Sequence, residues 1–401
     1  MPLATLCRTT QYNIIHIKGI LSYSTVKGFP GVDFNKYCSF PSQAFRGWPL
    51  KSANGLSLLD CSATVGKDIT VCQSLGKKII LTIDPLDFMT ANGTGTNGAP
   101  AVADNIWNLF LGGTSPNRPF GPSVQVDGLD FHIWSNNPNG VVDLATRLRT
   151  LMGQKYLFSA SPRCAFPDFL INAQYFPTLS QTFDYITTFF LATPNQCGFR
   201  ANPTGFWQTL QDWSTFTQPL PLIVGLAAWP VATVILATPG DYVNVTDFQS
   251  QNLVANMRAT APNFAGFSVM DASLDAVNTP CKNDEKGSLR RYSDVLWQQL
   301  TLPESQVGVN SAGSVACLAV LPPKTTTTST TTTTTTTTTI DTILNAAGTG
   351  AAASSTSNIP NTSAGSGSGK QLASTTKTTG SGAISCKTGT LVVLAALMLM
   401  V

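Results

Sequence analysis

Seven short apolar runs punctuate roughly the first 300 residues of the chain, with longer amphipathic or polar stretches between them. They fall at residues 12–17 (YNIIHI), 78–83 (KIILTI), 126–134 (VDGLDFHIW), 156–160 (YLFSA), 185–190 (YITTFF), 220–226 (LPLIVGL) and 264–270 (FAGFSVM), most of them roughly 30–50 residues apart. Helical patterns such as residues 101–111 and 140–151 lie between them. Strands that alternate with helices pair in parallel, because each helix returns the chain to the same end of the sheet. Seven or eight such units predict an α/β fold of the (β/α)8 TIM-barrel class.

Composition narrows the function. Of 401 residues 43% are hydrophobic, which is enough for a sizeable core. Only 11% are charged and the formal net charge is +3, so a nucleic-acid partner is not expected. The two histidines, His16 and His132, are too few for a histidine-rich metal site, and no cofactor is expected. Nine dispersed cysteines without a C-x-x-C pair, together with N-glycosylation sequons at Asn92, Asn244 and Asn361, predict a secreted glycoprotein with disulfides.

After residue 303 the character changes. A connector at 304–322 leads into a Thr-, Ser- and Gly-rich segment at 323–383, in which residues 325–339 are all threonine apart from Ser329. Such a segment buries too little apolar surface to offset its ordering entropy and reads as an O-glycosylated stalk. Residues 384–401 end in LVVLAALMLMV, which is shorter than the ~20 residues of a spanning helix. Small residues at 380–383 precede it, the layout of a GPI-attachment signal with Ser381 as attachment site and the tail, Cys386 included, removed. That layout predicts a membrane link through a GPI anchor and an extracellular location, on a cell surface or in a fungal wall. Residues 1–20 lack the pattern of a signal peptide, so an incomplete N-terminus is expected.

Several segments resemble the class III, hevamine-type chitinases of glycoside hydrolase family 18. Residues 126–134 resemble the family's strand-four motif D-G-x-D-x-D-x-E, residues 72–81 (CQSLGKKIIL) its helix two into strand three, and residues 106–112 with Arg118-Pro119-Phe120-Gly121 its W-N-x-F-L-G-G…R-P-x-G stretch. Residues 160–168 (ASPRCAFPD) resemble the end of its strand five. The resemblance covers about residues 3–300 and assigns 1–303 to the barrel domain. It places residues 3–7 in the family's first helix, so that strand one lies upstream and one barrel strand is missing. It also implies disulfides Cys7–Cys72, Cys38–Cys61 and Cys164–Cys197, and leaves Cys281 and Cys317 as a further pair.

The family cleaves β-1,4-linked N-acetylglucosamine polymers by a substrate-assisted route, outside the two-carboxylate scheme. The resemblance implies a degenerate site here. Asp127 and Asp130 match the first two acids, but His132 replaces the assisting Asp and Trp134 replaces the general-acid Glu. An indole cannot transfer a proton near neutral pH, and a histidine cannot supply a stabilising negative charge. Phe190 falls at the strand-six Tyr position, Met270 at the strand-eight sugar-stacking Trp, and Asp84-Pro85 at the Gly-Gly after strand three. The plainer reading of Asp127, Asp130, His16 and His132 is structural, and Trp134 then plugs the mouth. Asp84, Asp130, Trp134 and Met270 are the candidate ligand contacts. The expectation is an inactive chitinase-like protein that binds chitin or another wall glycan. The alternatives are an active chitinase with a rearranged site and a protein-binding barrel scaffold, as in family-18-like inhibitors and storage proteins.

Overall fold

A computed structural model describes residues 1–25, 28–39, 43, 45, 55–85, 89, 98–132, 140–230, 237–280, 290–301 and 390–395. Each of the seven apolar runs overlaps a strand, with β1 and β7 extending beyond theirs: β1 (Ile14–Ser22), β3 (Lys78–Ile83), β4 (Gly128–Phe131), β5 (Leu157–Ala160), β6 (Tyr185–Phe189), β7 (Leu222–Ala227) and β8 (Phe264–Met270). A two-residue strand, β2 (Gly31–Val32), lies antiparallel against β1. The others pair in parallel and in chain order. These strands are buried on both faces, which is why they read as continuous apolar runs.

A further strand, β9 (Thr390–Ala395), lies parallel to both β8 and β1 and closes the ring. Ile14 pairs with Val392 and Met270 with Leu394. β9 therefore fills the place of the strand expected to be missing. It comes from the C-terminal run that the sequence reading assigns to a removed signal. The physical reason is the sheet edge. Without a partner, β1 and β8 each present a row of unpaired backbone groups, and an extended apolar segment satisfies both rows.

Helices carry the chain between strands: α1 (Leu3–Thr9), α2 (Lys67–Ser74), α3 (Ala99–Phe110), α4 (Val141–Met152), α5 (Phe176–Leu179), α6 (Pro194–Cys197), α7 (Pro203–Thr217), α8 (Val245–Ser250), α9 (Leu253–Thr260), α10 (Ala272–Asp275) and α11 (Tyr292–Thr301). In α4 the buried residues are Val141, Leu144, Ala145, Leu148 and Met152, a single helical stripe facing the sheet. Cys7–Cys72 ties α1 to α2, Cys38–Cys61 holds the segment after β2, and Cys164–Cys197 joins the β5 loop to α6. The buried Arg118 guanidinium donates to the carbonyls of Asn108, Leu111, Gly113 and Val124 and so pins the loop after α3. Met1–Val320 with Gly382–Val401 form one compact unit and Leu321–Ser381 a second.

Candidate functional site

Inside the ring the side chains form layers, as period-two alternation requires. The lowest is apolar, made of Ile14, Ile80, Tyr185, Ile223 and Ala265 with Leu157 packed against them, and it is separate from the core between sheet and helices. Two residues further along β1, β3, β5, β6 and β7 come His16, Thr82, Ser159, Thr187 and Gly225. Two more bring Lys18, Asp84, Ser161, Phe189 and Ala227 to the carboxyl end of the strands. Strand β4 adds Asp130 to the middle layer and His132 just above it.

Asp130 is fully buried. Its carboxylate accepts hydrogen bonds from Ser159 Oγ at 2.6 Å and Ser161 Oγ at 2.8 Å, and His16 Nδ1 lies 3.6 Å away. The far side of that imidazole, Nε2, is 2.9 Å from the Tyr185 hydroxyl. Burial pushes the Asp130 carboxyl up, but His16, His132 and the Ser159 hydroxyl outweigh it and hold the group below its ordinary value. Burial pushes the Tyr185 hydroxyl far up, so it stays protonated. The resulting chain of Tyr185, His16, Asp130 and two serines ties β6, β1, β4 and β5 together at the barrel centre.

His132 is buried, and its ring meets Phe189 edge-on at 5.8 Å. Burial lowers its pKa, with Lys18 and His16 adding to the effect, against the pull of Asp84 and Asp130. It is therefore a neutral imidazole at neutral pH. At the mouth the Lys18 ammonium contacts Asp84 Oδ2 at 2.6 Å. Asp127 lies at the opposite end of β4, where it accepts from Ile79 N–H, Gln73 Nε2 and Lys78 Nζ at 2.9–3.0 Å. It organises the strand entry. Next to it, Gly128 has no room for a side chain, since a Cβ would meet the Leu157 carbonyl oxygen at 2.1 Å.

Phe190 packs on Phe206 of α7 at 4.7 Å, away from His132, and it is the preceding residue, Phe189, that reaches the interior. Strand six therefore turns Phe189, one residue earlier than the position expected at the site, toward the mouth. Met270 is buried at the end of β8. Asn244 is half-buried, with its backbone N–H on Asp247 Oδ2. Trp134, Asn92, Asn361, Cys281, Cys317 and Ser381 lie outside the described residues. Among the described residues no three His, Cys, Asp or Glu side chains come together to hold a metal ion. The site members the motif comparison did not single out are Lys18, Ser159, Ser161, Tyr185 and Phe189. Counting by twos from Ile14, Leu157 and Tyr185 finds all of them.

No family model matches the chain. Over 224 residues it is 32% identical to a basic endochitinase of Nicotiana tabacum, an alignment that covers 55% of this chain and 67% of the tobacco protein. The chain belongs to the chitinases and chitinase-like proteins of glycoside hydrolase family 18. Chitinase 2 of Rhizopus oligosporus is 29% identical over 274 residues, covering 68% of this chain and 46% of the relative. The chain thus spans about half the length of that fungal chitinase. The crystal structure of a chitinase from Ipomoea carnea superposes with a TM-score of 0.51 at 25% identity, covering 67% of this chain and 89% of that one. Within the run that resembles the strand-four motif, Gly128–Phe131 form β4.

Proposed function

We propose that this chitinase-like protein is catalytically inactive and binds chitin or another wall glycan at the barrel mouth. One observation carries the reading. At the third acid position of strand four stands His132, buried and neutral, where substrate assistance needs a carboxylate. Asp130 is already committed to two serines and His16. Trp134 at the next motif position has no transferable proton near neutral pH. Both glutamates, Glu285 and Glu304, lie far from the strand-four motif in sequence.

The test is hydrolysis of a fluorogenic N-acetylchitotriose substrate by the full chain, beside a His132→Asp/Trp134→Glu double variant. A missing general acid alone removes about 10²–10⁴-fold in rate. No turnover above blank, with saturable retention on chitin, is the expected result. Measurable hydrolysis by the unaltered chain overturns it. The second reading, an active chitinase with a rearranged site, draws on Asp84, a carboxylate at the mouth beside His132. The direct contact between Asp84 and Lys18 counts against it. If the chain hydrolyses the substrate, Asp84→Asn is the variant that decides between them.

Extracellular location is part of the proposal. Three disulfides persist in an oxidising compartment, which supports it. Attachment through a GPI anchor would excise the residues that form β9, so the anchored form and the closed barrel are alternative fates of the same segment. Mass spectrometry of the mature C-terminus distinguishes them: a terminal ethanolamine near Ser381 supports the anchor, and an intact 390–395 peptide supports the strand.

A further inference from the structure

Away from the barrel mouth, the outward side of α7 carries a groove of about 490 Å³. It is lined by Gln208, Gln211, Asp212, Thr215 and Phe216, together with Phe166 of the loop after β5. The five α7 positions fall at i, i+3, i+4, i+7 and i+8, so they form a single stripe about 12 Å long. The opposite stripe is the buried one, with Phe206, Leu210 and Trp213 in the core between helix and sheet. The groove therefore opens on the side wall of the barrel, and none of His132, Lys18 and Asp84 lines it.

Its floor is aromatic. Phe166 is 36% exposed, one of few large hydrophobic side chains left open among the described residues. Its ring meets Trp213 edge-on at 5.3 Å and Phe216 at 5.4 Å, and Phe216 packs in turn on Phe176 at 4.8 Å. Trp213 is fully buried and donates from Nε1 to the Cys164 carbonyl at 2.9 Å, which ties the helix to the loop that carries Phe166. Beyond Phe166, Asp168 Oδ1 accepts from the N–H groups of Leu170 and Ile171 and fixes the loop on its other side. The exposed ring is thus held in place by packed neighbours.

The rim is made of amide and hydroxyl groups. Gln208 Nε2 donates to Asp212 Oδ1 at 2.9 Å. Gln211 and Thr215 are exposed, and their side chains make no hydrogen bond among the described residues. Of the lining residues only Asp212 is ionisable. An apolar helix or strand laid here would leave the amides unpaired, and a highly charged partner would find no complementary cluster. The surface fits a neutral, extended ligand with apolar C–H faces and hydroxyl edges.

We propose that this groove is a carbohydrate site on the barrel wall for a linear, neutral chain of β-linked pyranose units. Phe166 stacks on a ring face, and Gln211, Asp212 and Thr215 bind its hydroxyls. The inference shares the ligand chemistry of the glycan-binding reading but not its site. It requires nothing of His132 or Trp134, so retention on a polysaccharide does not depend on the strand-four motif.

Calorimetric titration of the full chain with N-acetylchitohexaose and, separately, with laminarihexaose tests this, and hydrogen–deuterium exchange of the same mixtures locates the contact. The variants are Phe166→Ala and the double variant Gln211→Ala/Thr215→Ala, the second confined to exposed side chains so that the fold is kept. The expected result is saturable binding of at least one oligosaccharide that weakens about fivefold or more in both variants. Ligand should also slow exchange in the peptides that hold Phe166 and residues 205–217. Binding unchanged in the double variant, or exchange unslowed in both peptides, overturns the groove and leaves the mouth as the glycan site. Binding abolished in both variants supports the groove and overturns the mouth. No binding of either oligosaccharide by the unaltered chain overturns both.

Discussion

At the scale of single residues, His132 carries a pH consequence of burial. Its imidazole is buried, and burial lowers its pKa. A histidine with a lowered folded pKa binds its proton more readily when the chain unfolds. Its contribution to stability is therefore complete above the ordinary value of about 6.5 and is lost as pH falls from there toward the folded value. Asp130, held below its ordinary value, acts in the same direction but at lower pH, near and below about 3.9. Several buried acids, among them Asp168, Asp241 and Asp271, are pushed up by burial and act in the opposite sense. They are common to any pair of variants and cancel in a comparison. Melting curves at pH 7.5 and 5.5 should therefore show a smaller loss of stability for His132→Gln than for the unaltered chain. An equal loss in both would remove His132 from this role.

At the scale of elements, neighbouring strands share space that only one side chain can fill. Gly225 on β7 leaves room for Phe189 on β6, whose ring atoms would lie 2.4–2.8 Å from a Cβ at position 225. Gly225→Ala should destabilise by about 1–3 kcal/mol, as overpacking of a filled interior does. Phe189→Leu in the same chain should recover part of that loss, a coupling that a double-mutant cycle measures. Additive effects would mean that the two side chains do not compete. Strand β9 is the other element-scale case. A chain ending at residue 383 exposes the edges of β1 and β8, so it should melt at a lower temperature than the full chain and aggregate on refolding. Light scattering and thermal denaturation of the two lengths check this.

At the scale of the whole molecule, most of the architecture is legible along the chain. Parallel strands buried on both faces are continuous apolar runs, and each of the seven runs overlaps a strand. The motif acids could be assigned to β4 because the spacing of the D-G-x-D pattern survives intact at residues 127–130. The helix boundaries and the short two-residue strand β2 were not legible, since they depend on packing and on one local pairing with β1. Phe190 shows a sharper limit. A motif comparison places a residue to within one position, whereas a one-residue shift on a strand exchanges inside for outside, so Phe189 reaches the interior instead.

The amino-acid order by itself determines which segments become strands and helices, the low charge, the presence of His132 and Trp134 after Asp130, and the break in character beyond residue 303. These are local properties of composition and period, readable without knowing what lies across the barrel. Only the tertiary structure decides that Asp130 is spent on His16, Ser159 and Ser161, that Lys18 and Asp84 meet at the mouth, and that residues 390–395 close the ring. Each of these joins residues 29 to about 380 positions apart, and their contact depends on the closure and tilt of the whole sheet, which no local pattern encodes.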